Sequence, residues 1–501
     1  MRKGHRSGGF VLLEATVESI HAAYASGAIT CVALVEAYLA RIAAYDRQGP
    51  SLHAILTVNP QALQVAAEMD RNYRDRGGKV GPLHGIPVIL KDNLDTHDMP
   101  TTGGSVALRT SQPRADAFTV ARMRKAGALI LAKANLQEFA RGGMSISSLG
   151  GQAINPYDLT RTPGGSSGGT GAALAANFGT LGAGSDTGQS IRSPASANSL
   201  VGVRPTRGLI SRSGLMPNSF TQDEVGPIAR TVADAALLLD VMAGYDPDDP
   251  ITAFGVGRQP ASYAAALDVR AMQGARIGVM TNLFGAEPRH AQVNAVMELV
   301  IRNMQARGAT LIRFVMPEYE ILAPNVATDR MEAAAATDRY LKALDPPAAI
   351  RSFRQLVESR STHPQIQQAL EAELADEDAM NTPVYRDRML NRDRLRLAVV
   401  AQMATLGIDA ILYPLQRVLV ALTGESEQPE RNGTLSNGTG LPAVCFPAGA
   451  TAPTATAPLG VPVGAELLGR EFSEPLLLSL AHAYEQAFAA RKPPASTPAL
   501  S

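Results

Sequence analysis

The sequence predicts an α/β protein built around a largely buried sheet. First, short apolar runs at residues 86–90 and 128–133 alternate with segments of helical periodicity. Second, the chain has 501 residues, of which 45% are hydrophobic, and this is ample for a large core. Third, no internal repeat or clean linker divides the chain, which favours one continuous unit over separate domains.

The N-terminal region, residues 1–80, is predicted to be helical. Apolar residues recur at helical spacing over residues 12–24, 32–45 and 61–74. Thr30 precedes the second of these segments and is a suitable N-cap. The pattern therefore predicts three amphipathic helices in this region.

Beyond the N-terminal region, strands and helices alternate. An apolar run bounded by glycine and by Asp92 predicts a buried strand that ends at Lys91. The other predicted strands are residues 128–133, 275–280, 411–414 and 443–446. The other predicted helices are residues 118–126, 169–177, 231–242, 290–307, 331–344, 365–377 and 474–489. Residues 320–400 are predicted to be a helical insertion, and the tail, residues 492–501, is expected to be flexible.

Charge and cysteine content exclude several classes of function. The 46 basic and 46 acidic residues balance, so the composition attracts neither nucleic acid nor an anionic membrane. The apolar stretches are too short for a secretory signal or a membrane span. Two distant cysteines, Cys31 and Cys445, are expected to be unpaired, as is usual in reducing compartments. We therefore expect a cytoplasmic protein with no membrane or nucleic-acid partner.

Residues 142–189 are rich in glycine and serine and are predicted to be a long loop around one small-residue helix. A loop of this length inside a compact domain is unusual unless it is functional. Two serine-containing runs flank the helix, TPGGSSGG at residues 162–169 and GSDTGQSIR at residues 184–192. A serine hydroxyl becomes a nucleophile only with a base within hydrogen-bond reach and donors for the developing oxyanion.

Four interpretations of these runs compete. A phosphate-binding loop requires a lysine after the second glycine, and none follows here. Residues 164–168 fit the Gly-x-Ser-x-Gly nucleophile elbow, but the proline-containing approach at residues 156–163 is a poor strand. Either serine alone is more typical of a surface loop without a chemical role. The fourth interpretation is a Ser–Ser–Lys relay, in which Ser166 and Ser190 share one base.

Lys91 is the candidate base for that relay. Burial at the end of a strand would remove its water, and desolvation lowers the pKa of a lysine so that a neutral amine can accept a proton. The alternative is an ordinary strand-end lysine whose amine lies in water. The eight histidines are scattered without metal-ligand spacing. His84, close to Lys91 in the sequence, is more typical of a packed histidine than of a base.

Together these motifs resemble the amidase signature family. The runs PGGSSGG at residues 163–169 and DTGQSIR at residues 186–192, with Lys91, match that family's cis-serine, nucleophilic serine and lysine. The resemblance is dense over residues 83–245 and looser on both sides. It implies the amidase signature fold, a large twisted mixed β-sheet with helices on both faces, as a single domain over residues 1–501.

The resemblance also implies roles for particular residues. Ser190 is the nucleophile, and Ser166, next to a cis peptide bond, passes the proton of Ser190 to neutral Lys91. The oxyanion hole consists of the backbone N–H groups of Thr187, Gly188, Gln189 and Ser190. The family's mechanism needs no metal and no organic cofactor.

Two positions depart from the family pattern. Gln189 stands where glycine is usual, and Arg141 stands where many members have methionine close to the substrate. Together with Gly142 they are the expected substrate contacts. For Arg141, a solvent-exposed position is an equally good interpretation.

The implied function is hydrolysis of a carboxylic amide, or a related carbamate, through a Ser190 acyl-enzyme that releases carboxylate and ammonia or an amine. The expected partner is a small-molecule amide, and a homodimer is common among relatives. The alternatives are the amidase-type subunit of a glutamine-dependent tRNA amidotransferase and a non-catalytic binding relative. Residues 323–331 do not resemble the glutamine-binding stretch of that amidotransferase, and the three intact catalytic positions argue against the binding relative.

Overall fold

The structure is a computed structural model that describes residues 10–500. Its strands are β1 (Ile55–Val58), β2 (Pro87–Lys91), β3 (Leu129–Ala134), β4 (Ile146–Ser147), β5 (Gly151–Gln152), β6 (Leu181–Asp186), β7 (Val201–Arg204), β8 (Glu224–Ala229), β9 (Arg276–Met280), β10 (Thr310–Phe314), β11 (Ala410–Pro414), β12 (Ala443–Ala450) and β13 (Pro462–Leu468). Its α-helices are α1 (Val17–Ser26), α2 (Cys31–Tyr45), α3 (Ala62–Arg76), α4 (Phe118–Lys125), α5 (Gly168–Ala175), α6 (Arg192–Ala197), α7 (Val232–Met242), α8 (Ala291–Ala306), α9 (Pro317–Leu322), α10 (Asp329–Ala343), α11 (Phe353–Ser359), α12 (Pro364–Ala375), α13 (Pro383–Leu406), α14 (Thr434–Asn437) and α15 (Glu474–Phe488).

Within the described residues, one sheet contains eleven strands in the order β1-β3-β2-β6-β8-β7-β12-β13-β11-β9-β10. β2 runs parallel to β3 and β6, and β9 runs parallel to β10 and β11. The strands between these two groups pair antiparallel. Every residue of β2, β3, β6 and β8 is buried, so both faces of this half of the sheet are covered. The predicted α/β class with a buried mixed sheet is confirmed.

The predicted N-terminal helices are present with shifted ends. α1 begins at Val17 rather than at residue 12, because the Thr16 and Ser19 side chains form a reciprocal capping box. Thr30 caps α2 as predicted, and its hydroxyl accepts a hydrogen bond from the Ala33 N–H at 3.1 Å. Residues 1–9 lie outside the described part of the chain.

The prediction that residues 142–189 form a loop around one helix is wrong at β6. This strand reads LGAGSD, a composition that is unusual for a strand, yet it lies between β2 and β8 near the middle of the sheet. A Cβ atom at Gly182 would lie 2.7 Å from Thr170 Cγ2, and one at Gly184 would lie 2.7 Å from Ser167 Oγ. Glycine is required at these positions because α5 packs directly on the strand. Strand propensity, which depends on local sequence, does not reveal this packing.

Between β10 and β11 the chain forms a helical region, defined here as residues 317–406, close to the predicted insertion. It contains the predicted helices α10 and α12, and also α13, which the sequence does not predict by periodicity. Much of α13 is charged, and it buries only a narrow stripe of four residues, Arg392, Leu395, Val399 and Met403. Thr382 at the N-cap and Pro383 at the first helical position are the sequence signals that mark its start.

Part of the C-terminal tail, which the sequence predicts to be flexible, contacts the core. The buried Arg41 guanidinium donates hydrogen bonds of 2.8 Å to the carbonyls of Thr497 and Pro498. Thr497 is itself buried. Ser501 lies outside the described residues. Among residues 10–500, no helix combines the length and the apolar character that crossing a bilayer requires.

Candidate active site

Lys91 is the last residue of β2, and its side chain is fully buried. Its Nζ lies 2.7 Å from Ser166 Oγ, 2.8 Å from Ser185 Oγ and 3.2 Å from the Ser185 carbonyl oxygen. Burial lowers the pKa of Lys91 from 10.5 to about 7, while the nearby carboxylates of Asp223 and Asp186 act in the opposite direction. The amine is therefore neutral in a large fraction of molecules near neutral pH.

Ser166 lies two residues before α5 and is fully buried. The peptide bond between Gly165 and Ser166 is cis. The Ser166 carbonyl accepts a hydrogen bond from the Gln137 N–H at 2.9 Å, and the Gly164 carbonyl accepts one from Ser145 Oγ at 2.7 Å. Two separate chain segments thus hold the serine loop against Lys91.

Ser190 lies in the loop between β6 and α6, and it lines a cavity of about 880 Å³. Its carbonyl accepts a hydrogen bond from the Ser167 N–H at 3.1 Å, which joins the two serine loops. Its hydroxyl makes no hydrogen bond to any other residue within 10–500. The structure therefore brings Lys91 and Ser166 into direct contact and leaves the Ser190 hydroxyl available at the cavity wall.

Side chains of neighbouring segments hold two carbonyl oxygens of the loop at residues 187–190. The Gly188 carbonyl accepts hydrogen bonds from Arg192 at 2.6 Å and from Asn437 at 2.7 Å. The Thr187 carbonyl accepts one from Gln222 at 3.2 Å. In a trans peptide the N–H points opposite to the carbonyl, so these bonds direct the following N–H groups to the other side.

The four N–H groups of this loop are not used by the described part of the protein. None of the N–H groups of Thr187, Gly188, Gln189 and Ser190 donates a hydrogen bond to a residue within 10–500. All four residues line the cavity. Unpaired backbone donors beside a serine hydroxyl are the arrangement that stabilises an oxyanion.

A buried ionic cluster supports the loop from behind. Arg192 forms ion pairs with Asp186 at 3.0 Å and with Glu466 at 2.6 Å, and Arg204 forms one with Asp186 at 2.8 Å. All four side chains have at most 1% of their surface exposed. The two arginines hold the pKa of Asp186 well below its usual range despite burial. These ion pairs therefore hold both ends of the loop, because Asp186 precedes it and Arg192 follows it.

The cavity has a volume of about 880 Å³, within the range typical of ligand sites. Its wall is polar, and none of its lining residues in the described structure is aromatic or a branched aliphatic. Apolar surface comes only from Pro429 and from four alanines, at positions 140, 327, 369 and 372. Asp329, Asp376 and Glu427 are among the residues that add carboxylates to its wall.

Arg141 lines the cavity, but it is neither exposed nor free. Only 4% of its side chain is accessible, and its Nε lies 2.8 Å from Glu373 Oε2. Its other donors reach Thr337 Oγ1 at 3.1 Å and the Phe139 carbonyl at 3.3 Å. The expectation of a solvent-exposed arginine is wrong, because helices α10 and α12 cover the side chain. Its guanidinium joins the helical region to the core.

Two further junctions attach the helical region to the core. Tyr340 Oη of α10 donates a hydrogen bond of 2.7 Å to the buried Asp95 carboxylate. Glu332, also on α10 and fully buried, accepts hydrogen bonds from Ser219 and Thr221 of the segment that precedes β8. The wall of the cavity that belongs to the helical region is therefore fixed by buried polar contacts.

Gly142 and Gln189, the other expected substrate contacts, also line the cavity. Gln189 is 2% exposed, and neither atom of its amide has a hydrogen-bond partner among the described residues. A Cβ atom at Gly433 would lie 2.8 Å from Gln189 Cβ and too close to the Gly188 carbonyl oxygen. The room for the Gln189 side chain therefore depends on glycine at position 433.

Ser185 and Asn93 contact the site, and sequence reasoning missed both. Ser185 Oγ contacts Lys91 Nζ and accepts a hydrogen bond of 2.9 Å from Asn93 Nδ2. Asn93 follows Lys91 by two positions, and Ser185 belongs to the run GSDTGQSIR. Both lie inside motifs that the sequence makes recognisable, but no sequence signal shows that their side chains meet at Lys91.

One group in the described structure has the spacing of a metal site, namely His97, Asp98 and Asp116. The Arg124 guanidinium already pairs with Asp98 at 2.7 Å and with Asp116 at 3.0 Å, so a cation occupies that position. His84 is buried and packs against the rings of Tyr24 and Tyr73, with ring centroids 6.4 and 5.5 Å away. It is a packed histidine, as its sequence context suggested.

Known proteins similar in sequence and fold indicate the family of this chain. The family model described as Amidase matches residues 33–478. A probable amidase from Arabidopsis thaliana is 34% identical over 502 residues, covering 97% of this chain and 92% of that protein. A glutamyl-tRNA(Gln) amidotransferase chain from Chloroflexus aggregans, one subunit of that enzyme, is 34% identical over 493 residues, covering 94% and 96%. The crystal structure of native peptide amidase from Stenotrophomonas maltophilia superposes with a TM-score of 0.86 at 36% identity, covering 97% of this chain and 99% of that one.

Proposed function

This chain belongs to the amidase family, hydrolases of amide C–N bonds, and we propose that it acts through an acyl-enzyme formed on Ser190. The observation that carries the proposal is the contact of 2.7 Å between Lys91 Nζ and Ser166 Oγ in a fully buried site. Lys91 is the base, Ser166 relays the proton and Ser190 is the nucleophile. The lowered pKa of Lys91 supports this assignment.

In the first half of the reaction, Ser190 Oγ attacks the amide carbonyl carbon. Its proton moves to Ser166 Oγ, and the Ser166 proton moves to Lys91 Nζ, which becomes an ammonium. The negative charge that develops on the carbonyl oxygen faces the unpaired N–H groups of residues 187–190. Loss of one such donor in other enzymes costs about 3–4 kcal/mol of transition-state stabilisation.

In the second half, the proton returns along the same path to the leaving nitrogen. Protonation of this nitrogen allows the C–N bond to break, because a neutral amine leaves far more readily than an amide anion. The products of this step are ammonia or an amine and an ester on Ser190. Water then attacks the ester and passes a proton to the same relay, which returns it to Ser190 Oγ as the ester C–O bond breaks and the carboxylate is released.

The cavity supports a hydrophilic substrate of peptide size. Its volume of about 880 Å³ far exceeds what a simple aliphatic amide would fill. Among the described residues, its wall contains no aromatic side chain, and its apolar residues are one proline and four alanines, so it offers little surface to bury an aryl group. The structural likeness to a peptide amidase supports the same choice. We therefore take a peptide amide as the substrate class.

A hydrolysis panel on the purified chain tests the substrate class. The panel contains peptide amides, aliphatic amides, acyl anilides and aryl carbamates, and ammonia or amine release is measured. We expect kcat/KM to be highest for peptide amides. A clear preference for acyl anilides would contradict the substrate assignment while leaving the catalytic residues untouched.

Labelling with a fluorophosphonate tests the nucleophile without knowledge of the substrate. The label is expected on Ser190 in peptide mapping and is expected to be lost in Ser190→Ala. Ser26→Ala, which removes an exposed serine hydroxyl at the end of α1, serves as the matched control. Labelling that persists in Ser190→Ala would overturn the assignment.

A second candidate function is that of the amidase-type subunit of a glutamine-dependent tRNA amidotransferase. The similarity to the amidotransferase chain from Chloroflexus aggregans favours it. Incubation of the purified chain with glutamine separates the two functions. Glutaminase activity that rises with a partner protein and charged tRNA would establish the second candidate, whereas hydrolysis of peptide amides by the chain alone supports the first.

The remaining proposals concern organisation and location. We propose one amidase domain over the whole chain, supported by a single sheet whose strands run from β1 to β13. A cytoplasmic location is supported by Cys31 and Cys445, which are buried and unpaired in the described structure. A homodimer is the expected assembly, and size-exclusion chromatography with light scattering tests it.

A further inference from the structure

We propose that Ser185, oriented by Asn93, is a positioning residue that holds the Lys91 ammonium formed when the relay takes up a proton. The inference rests on the proposed function, because it assigns a role to a side chain that acts through Lys91 and does not touch the substrate. It starts from a feature that the relay alone does not explain. Lys91 Nζ has three oxygen neighbours, and two of them belong to Ser185.

Each N–H donor of a charged Lys91 amine has an oxygen acceptor within reach. An ammonium has three N–H donors and no lone pair. Ser166 Oγ, Ser185 Oγ and the Ser185 carbonyl lie at 2.7, 2.8 and 3.2 Å from Nζ, which gives each donor one acceptor. A neutral amine has only two N–H donors, so one of these three contacts must then use its lone pair.

The fit to the ammonium offsets part of the cost of burial. Desolvation disfavours a charged lysine in a dry site, but hydrogen bonds to the charged form favour it. Lys91 must be neutral at the start of the reaction and charged after the proton transfer. Acceptors that are already in place stabilise the charged state without any rearrangement when the proton arrives.

Asn93 fixes the direction in which the Ser185 hydroxyl faces. Its Nδ2 donates to Ser185 Oγ at 2.9 Å and lies 3.4 Å from the Met216 carbonyl oxygen. The Met216 carbonyl oxygen can only accept, so it identifies this side of the amide as the nitrogen. The Asn93 donor occupies one lone pair of the Ser185 oxygen, and the other side of that oxygen faces Lys91.

The carboxylates near Lys91 do not form hydrogen bonds with its amine. Asp223 and Asp186 both raise the pKa of Lys91 through their charge. Asp186 is paired with Arg192 and Arg204. Asp92, next to Lys91 in the chain, pairs with Lys133 at 2.9 Å. None of these carboxylates is within hydrogen-bond distance of Nζ, so Ser185 and Ser166 are the direct acceptors.

The test is the pH dependence of Ser190 labelling by a fluorophosphonate, because this rate reports the base and needs no knowledge of the substrate. In the wild type we expect the rate to rise with pH through the pKa of Lys91. In Ser185→Ala we expect a slower rate and a midpoint about one pH unit lower, since one hydrogen bond to a charged group is lost. Ser185→Thr, which keeps the hydroxyl, is expected to restore the wild-type midpoint.

Two further variants separate positioning from simple packing. Asn93→Asp replaces the donor by an anion near the amine, so the midpoint is expected to move upward, opposite to Ser185→Ala. Ser167→Ala removes a neighbouring buried hydroxyl that bonds the same Ser185 carbonyl at 3.2 Å without touching Lys91. Its midpoint is expected to stay at the wild-type value. Partial unfolding of any variant reduces the amplitude of labelling but does not move the midpoint.

The possible outcomes distinguish this inference from the proposed function. A wild-type midpoint that survives in Lys91→Ala, or no labelling of Ser190 at all, would overturn both. A midpoint that depends on Lys91 but is unchanged in Ser185→Ala would overturn only the role of Ser185. Opposite shifts in Ser185→Ala and Asn93→Asp, with an unchanged Ser167→Ala, would establish it.

Discussion

The buried residues around Lys91 and the helical region at residues 317–406 contain ion pairs of contrasting exposure. In the core, the ion pairs of Asp186 with Arg192 and Arg204 are almost entirely inaccessible to solvent. In the helical region, the pair between Arg354 and Glu377 has more than half of each side chain exposed. Water screens the electrostatic attraction within the exposed pair much more than it screens the attraction within the buried pairs. The comparison shows that the chemical groups lie in a dry, tightly fixed environment, while the exposed ion pairs of the helical region are solvated.

The contrast predicts that substitutions in the two regions have very different consequences. A change among the buried groups alters the positions or charges of reacting atoms. A change on the exposed face of the helical region alters only a weak, screened contact. Between these extremes lie the buried junctions that attach the helical region to the core. The following experiments probe this order, from the largest expected effect to the smallest.

Loss of the base or the relay is expected to have the largest effect. Lys91→Ala and Ser166→Ala should each lower kcat/KM by about 10⁴-fold or more, as loss of a triad member does in other hydrolases. Arg354→Ala, in the exposed pair with Glu377, is the control and should leave kcat/KM at the wild-type value. Steady-state kinetics on a peptide amide measures both. Wild-type rates in either core variant would refute the relay.

Crowding of the loop at residues 187–190, which carries the proposed oxyanion donors, is expected to have the next largest effect. Gly433→Ala places a Cβ against the Gly188 carbonyl and 2.8 Å from Gln189 Cβ, so the loop must shift. We expect kcat to fall by about 10²–10³-fold, comparable to the loss of an oxyanion donor. Gly143→Ala is the matched control, because its added Cβ meets nothing closer than 3.4 Å. Equal rates in the two variants would contradict the role of the loop.

The pH dependence of the wild type follows from the pKa of Lys91. The neutral amine is the reactive form, and its pKa is lowered by burial to about 7. Activity should therefore rise with pH through about 7, and at pH 6 it should be about a tenth of the plateau value. The measurement is kcat/KM from pH 5 to 9. A midpoint near 10, the value of an exposed lysine, would show that the amine is not desolvated.

The smallest effect on the chemistry is expected at the junction between Arg141 and Glu373. Arg141→Met leaves the Glu373 carboxylate without its partner, which typically costs about 3–5 kcal/mol of stability for a buried pair. Because Arg141 does not touch the reacting atoms, we expect KM to rise more than kcat falls. The double variant Arg141→Met with Glu373→Leu should recover much of the stability, as measured by thermal unfolding. A large loss of kcat with unchanged KM would place Arg141 among the groups that stabilise the transition state.

Much of the fold could be predicted from the sequence, because the sequence patterns that indicate helices and strands are local. The strand that ends at Lys91 and the helix α7 after the Thr231 cap follow from apolar runs and capping residues. The family followed from two glycine-rich motifs and one lysine, and the comparisons confirm it. The catalytic assignments of Lys91, Ser166 and Ser190 came from the same motifs and stay a prediction until the variants are measured.

The tertiary structure alone decided how distant segments meet. β6 was missed because its glycines are selected by the close packing of α5 and not by strand propensity. Arg141 is buried because Glu373, 232 positions away, reaches it from α12. The contact of Ser185 with Lys91 spans 94 positions. Periodicity and motifs report what a residue prefers among its chain neighbours, whereas burial, pairing and pKa depend on atoms that only the folded chain brings together.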